Sequence, residues 1–285
     1  MQNIAIVTDS SAYLSAEFVK KNNIHVIPLR IHWDEETLLD GIDINPSQFY
    51  ERLEKSATIP STSQPSAGDF IEVFDRLSQD HDAILALLIS SGISGTVDSA
   101  ELAIKMFNKI PVVVIDSLIT SAGLGMIVKV AVQAVAEGKN IQEIQLMSQK
   151  IIRTIKTFFV VDTLKYLHKG GRIGGASRYL GSALDIKPIL YFDDQGKIEA
   201  LEKVRTKRNA LERLMNLAEE HSKGKNVVVS LIHANSLNDV TLLKEKVEKR
   251  FACKEVDIYE LSPVIGTHVG PGTLGIALYP ENIKN

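Results

Sequence analysis

The sequence predicts a two-domain α/β protein: a three-layer α/β domain with a mainly parallel sheet, then an α/β domain with a mixed sheet. Three observations carry that expectation. The first half alternates short apolar runs with helical patterns. Two of its runs, Ala83–Ile89 and Val112–Ile115, are apolar throughout, as strands buried on both faces of a parallel sheet are. The second half holds Asp193-Asp194-Gln195-Gly196 between the apolar-rich segments Ile189–Phe192 and Lys197–Val204, a hairpin signature. A length of 285 residues is also long for one core and comfortable for two.

The elements follow in order. Ile4–Thr8 reads as a strand ending at Asp9-Ser10-Ser11, with a short helix through Phe18-Val19 and a second strand over Val26–Ile31. Asn45-Pro46 reads as an N-cap with proline at the first helical position, opening a helix through Leu53. Ser66 caps a helix on which Phe70, Val73, Phe74 and Leu77 recur at helical spacing. The domain boundary falls near Thr154–Lys156, giving domains 1–155 and 156–285. Beyond it come a strand over Phe158–Val161, a Gly-rich helical region, the hairpin, and a helix from Leu211 to Ala218. A strand over Val227–Ile232 and a helix from Val240 to Phe251 precede two last strands, Val256–Leu261 and Leu274–Leu278, which enclose Pro263 to Gly272.

Composition excludes several classes. A net charge of −3 offers no basic footprint for nucleic acid. The longest apolar run, Ala83–Ile89, is far short of the ~20 residues of a membrane span. Met1-Gln2-Asn3 leads straight into Ile4–Val7 with no basic n-region, so a cytoplasmic location is expected. The single Cys253 excludes an intrachain disulfide, and His168, His221 and His233 lack ligand spacing, so no metal is expected.

Parallel sheets bind ligands at the carboxyl ends of their strands. Four segments rich in hydroxyls and glycine fall at such places: Thr8 to Ser11, Ser61 to Ser66, Ser90 to Thr96, and Asp116-Ser117. Ordinary capping and turn chemistry explains any one of them. Four at one sheet edge point to a ligand. In the third, Gly92 and Gly95 permit close backbone approach, and Ser94 and Thr96 precede a helix whose N–H groups favour an anion. His268, in Gly266-Thr267-His268-Val269-Gly270-Pro271-Gly272, is either structural, a donor to a carboxylate, or a base for a serine. Lys169-Gly170-Gly171-Arg172-Ile173-Gly174-Gly175 reads equally as a phosphate cradle or a tight helix corner, and it is not a P-loop. Leu180, Leu184 and Ile189 suit either a core or an acyl tunnel, since both demand the same side chains.

The segments "IVTDSSAYL", "TSQPSAGDF", "SSGISGT", "LKYLHKGGRIGG", "VRTKRNAL" and "IGTHVGPGTLG" together resemble the DegV family, in its order and across essentially the whole chain. That resemblance implies a fatty-acid carrier like the FakB-type subunits of bacterial fatty acid kinase. The acid would be presented to a separate ATP-binding kinase subunit, phosphorylated on its carboxylate, and released as acyl phosphate for phospholipid synthesis. Motif by motif, the carboxylate contacts implied are Thr62, Ser94 and His268, with Ser63, Gly95 and Thr267 as neighbours and Arg205 facing the kinase. The expected partners are a long-chain fatty acid, that kinase subunit and, transiently, a membrane surface. No cofactor and no catalytic residue of the chain's own are expected.

The chemistry agrees. A desolvated carboxylate needs hydrogen bonds, and two hydroxyls with an imidazole supply them without a permanent charge, leaving one oxygen free to attack ATP. At ~0.8 kcal/mol per buried methylene, a long tail contributes on the order of 10 kcal/mol before entropic costs. Two other readings stand beside this one. The first is an acyl hydrolase with Ser94 as nucleophile, His268 as base, and Asp9 or Asp116 orienting it, although no G-x-S-x-G elbow exists. The second is a sensor of another small acid.

Overall fold

The computed structural model describes residues 2–181, 186–253 and 255–281. Its strands are β1 (Ile4–Asp9), β2 (His25–Ile27), β3 (Arg30–Trp33), β4 (Glu36–Leu39), β5 (Ser61–Ser63), β6 (Ala83–Leu88), β7 (Val112–Asp116), β8 (Lys156–Val160), β9 (Lys187–Phe192), β10 (Ile198–Val204), β11 (Val227–His233), β12 (Val256–Glu260) and β13 (Leu274–Pro280). Its α-helices are α1 (Ala16–Lys21), α2 (Pro46–Lys55), α3 (Ala67–Leu77), α4 (Thr96–Met106), α5 (Ser121–Ala136), α6 (Ile141–Ile152), α7 (Lys165–Lys169), α8 (Lys207–Ser222), α9 (Leu237–Arg250) and α10 (Pro263–Val269).

The described strands form three sheets. The first is parallel throughout, in the order β2-β1-β6-β7. The second has six strands, β10-β9-β8-β13-β11-β12, and is mixed, since only β11 and β12 run parallel. The mixed α/β architecture is the one the sequence predicts. A small antiparallel sheet, β4-β3-β5, was not anticipated.

Strand period two sorts the core into layers. Ala5 and Val7 of β1 face Phe70, Phe74 and Ala100 of α3 and α4. Ile4 and Ile6 belong instead to the central cluster with Leu124, Ile127 and Val128 of α5. That helix is buried almost all round because it lies between the two large sheets, touching β1 and β6 on one side and β11 and β13 on the other. Each of its fully buried Leu, Ile and Val side chains contributes ~1.5–3 kcal/mol. The outer face of the mixed sheet, with Val229, Leu231 and Ile276, is covered by Leu214 of α8 and Leu243 of α9.

Local signals behave as their chemistry requires. Asn45 and Ser66 each close a capping box, with Gln48 and Asp69. The strand expected over Val26–Ile31 breaks in two. Pro28 has no N–H for a ladder, so β2 ends at Ile27 on the parallel sheet and β3 starts afresh at Arg30 in the small one.

Candidate functional site

A cavity lies where the mixed sheet, β5, α10 and the segments after β2 and β6 meet. It occupies about 770 Å³, solvent at its mouth included. Its walls are Leu29, Ile89, Phe159, Phe192, Ile198, Ile232, Leu261, Val264, Ile265 and Val269, which come from the mixed sheet, α10 and the segments just after β2, β6 and β12. Thr62, Ser63, Ser94 and His268 gather on the same cavity, joined by Gln64 and Arg172.

Each is placed by a different element. Thr62 sits on β5 opposite Ile31 of β3. The segment thus belongs to the small antiparallel sheet, and the expectation of a fourth loop on the parallel sheet edge is corrected. Arg30 anchors that sheet to α3 through a 2.7 Å ion pair with Asp69, and Ser63 Oγ meets His32 Nε2 at 2.8 Å. Ser94 lies between β6 and α4, in a turn where its N–H donates to the Ser90 carbonyl at 3.1 Å. Its Oγ is 2.8 Å from Thr96 Oγ1. The tip of the β9–β10 hairpin packs on this turn. Ser90 Oγ donates to the Gly196 carbonyl at 2.8 Å, and a Cβ at Gly92 would stand 2.5 Å from the Gln195 carbonyl, so only glycine fits there.

His268 is not on a loop. It occupies the last turn of α10, which Ser262 caps and Pro263 opens. Thr62 Oγ1 and His268 Nε2 share a 2.7 Å hydrogen bond across 206 residues of sequence. Burial, reinforced by the positive Arg172, pushes the imidazole down to about 4, so it is neutral at neutral pH and offers one N–H. Its Nδ1 has no partner.

The remaining predicted neighbours stay outside the lining. Thr267 Oγ1 donates back to the Pro263 carbonyl at 2.9 Å. Gly95 faces the Gln64 side chain. Arg205 is exposed beyond β10. Of the proposed tunnel stripe, Ile189 is buried in the outer core with α8, Leu180 is 44 % exposed, and Leu184 falls outside the described residues.

The Gly-rich segment is a tight corner packed against the polar end of the cavity. After α7, Gly170 packs against His268, while Arg172 donates through Nε to the Ile93 carbonyl (3.0 Å) and through Nη1 to the Gly170 carbonyl (2.7 Å). A cation therefore stands beside the polar end, which sequence reasoning had assigned to neutral donors alone. A surface groove carrying Gly92, Gly95, Gly171 and Lys197 shares Ile93, Ser94, Arg172 and Ile198 with the cavity, so that end is reached from outside.

A hydrolytic triad is not assembled. The carboxylates of Asp9 and Asp116 accept backbone N–H groups, from Ser11 and Ile89 and from Ser91 and Leu118, and His268 is bonded to Thr62. Among the described residues, no three His, Cys, Asp or Glu side chains are grouped to hold a metal. No described helix is long and apolar enough to cross a membrane.

The α/β scaffold thus sets a hydroxyl–imidazole pole on an apolar-walled cavity, the form of a small-molecule pocket. The chain belongs to the DegV family, whose profile, described as an uncharacterised protein family, matches residues 3–281. A DegV domain-containing protein, BH3627 of Halalkalibacterium halodurans, is 39% identical over 283 residues, covering 99% of this chain and 100% of that one. A DegV family protein from Thermus thermophilus, described as binding fatty acid, superimposes with TM-score 0.92 at 32% identity, over 98% of this chain and 99% of that one. DegV of Bacillus subtilis, described as a fatty acid binding protein, gives 0.89 at 35% identity over 99% and 100%.

Proposed function

We propose that this protein binds a long-chain fatty acid, with its tail along the apolar cavity and its carboxylate at Thr62, Ser94 and His268, and presents it to a separate ATP-dependent kinase subunit that forms the acyl phosphate. The observation that carries the reading is an apolar-walled cavity onto which Thr62, Ser94 and the neutral imidazole of His268 converge. The two hydroxyls and the imidazole can satisfy a desolvated carboxylate by hydrogen bonds, with Arg172 held beside them by the Ile93 and Gly170 carbonyls. Arg172 and Lys197 at the outer groove suit the approach of a phosphate donor. The likeness to fatty acid binding relatives over almost the full length supports the ligand class.

Native mass spectrometry of the gently purified protein is expected to show a co-purifying mass of a fatty acid. Palmitate, stearate or oleate should raise the melting temperature of delipidated protein. A chain that is consistently empty and unmoved by all three acids would refute the reading. Arg205→Ala should leave fatty acid affinity within about twofold, because the side chain is exposed and off the cavity. The same variant should lower acyl phosphate formation with the kinase about tenfold or more, as loss of a charged interface contact does. An equal loss of both would show that its role is misassigned.

A further inference from the structure

The cavity has a second set of polar side chains that the carboxylate site does not use. Thr120, Ser121 and Thr157 all line it, are 6 %, 2 % and 4 % exposed, and carry side-chain hydroxyls with no hydrogen-bond partner. Thr120 and Ser121 come from the start of α5, as the residue before it and its first, and Thr157 from β8, whereas Thr62, Ser94 and His268 come from β5, the β6–α4 turn and α10. Two of the three stand at the N-terminus of the 16-residue α5. There the first N–H groups have no intrahelical acceptor, and the Thr120 side chain does not cap them. Thr157 enters from the facing sheet, on the same face of β8 as Phe159.

Buried hydroxyls in an apolar wall are costly unless they are bonded. A helix N-terminus adds donors and a positive potential, so the cluster as a whole seeks an acceptor oxygen. The three oxygens are already shut away from bulk solvent, and a saturated hydrocarbon tail passing these residues would offer them no partner. An oxygen on the tail would satisfy them.

We propose that the ligands this cavity favours are oxygenated acyl chains, hydroxy or oxo fatty acids whose chain oxygen docks on Thr120, Ser121 and Thr157. This rests on the fatty-acid reading above and specifies its ligand. A hydroxyl both donates and accepts, so it suits any of the three side chains. Its position along the chain must match the cluster's depth, and the affinity should therefore peak at one position.

The test is titration calorimetry of delipidated protein with stearate and a series of hydroxystearates whose hydroxyl is moved along the chain. One isomer is expected to bind at least about tenfold more tightly than isomers displaced by several carbons. In Thr120→Val/Ser121→Ala/Thr157→Val the ratio of that isomer's affinity to stearate's should fall about tenfold. A wild-type series that lies uniformly below stearate would overturn the proposal. That comparison decides the matter even where the triple variant does not fold. Binding of stearate without any positional preference removes only this inference. Failure of every acid, stearate included, removes the fatty-acid reading and this one together.

Discussion

Gly170→Ala is expected to weaken fatty acid binding by about 10- to 100-fold, as much as His268→Ala does. Gly170 has ordinary backbone angles at the end of α7, φ −77° and ψ −5°, so alanine costs nothing in conformation there. Space is the obstacle. A Cβ would lie 2.1 Å from His268 Nδ1 and 2.8 Å from its Cε1, with the Tyr166 carbonyl at 3.2 Å on the other side. The imidazole must move, and its 2.7 Å bond to Thr62 Oγ1 moves with it. A hydrogen bond to a charged group is worth ~1.5–3 kcal/mol, and that sets the expected loss. Gly171→Ala is the control. Nothing lies within 4 Å of its Cβ, but its φ of +70° strains any L side chain. It should therefore cost ~1 kcal/mol of stability and leave affinity near wild type. Calorimetric titration with oleate beside thermal melts separates the two effects. Wild-type affinity in Gly170→Ala would show that the histidine is not a ligand.

What the sequence made legible was local. Asn45-Pro46 and Ser66 announce their helices because a cap and its partner sit three residues apart. The hairpin around Asp193 to Gly196 is likewise written in its turn. Strand β5 was not legible, because Ser61-Thr62-Ser63 has no apolar alternation and becomes a strand only by pairing with β3. Helix α10 left a readable signal in Ser262-Pro263, a cap followed by proline at N1, but Gly266 and Gly270 masked it. Its glycine is needed at 266 because a Cβ there would press 2.7 Å from the Tyr50 hydroxyl. Thr62, Ser94 and His268 could be named through family motifs, yet their meeting is a tertiary fact. Arg172 and Thr157 show the limit of sequence reasoning most plainly. Each faces the cavity only because of a corner's path or a strand's register against Ala277, and no pattern of neighbours encodes either.

Asp40→Asn is expected to change how stability depends on pH, because Asp40 holds the helix that carries His268. Its carboxyl is 2 % exposed. It accepts from Ser10 Oγ at 2.7 Å on one oxygen and from Val264 N, in the first turn of α10, at 3.4 Å on the other. Burial pushes it up to about 7, and the neighbouring Asp9, itself pushed up to about 6 by burial, adds to the shift. A folded pKa above the unfolded value of 3.8 means that the folded chain holds this proton more tightly. The stability it brings is complete below about pH 4 and is lost as pH rises through about 7. A shift of roughly three units corresponds to ~4 kcal/mol at most. His268 runs the other way. Its folded pKa is depressed, so its contribution is present above pH 6.5 and is lost as pH falls towards about 4. Asparagine imitates the protonated acid: it keeps a carbonyl for the Val264 N–H and an NH₂ for Ser10 Oγ, and it cannot ionise. The stability of Asp40→Asn relative to wild type should therefore climb by ~2–4 kcal/mol between pH 4.5 and pH 8 and level off above. Urea denaturation at those two pH values measures it. Parallel profiles for the two proteins would mean that Asp40 titrates as an ordinary carboxylate, and that α10 is held against β1 without it.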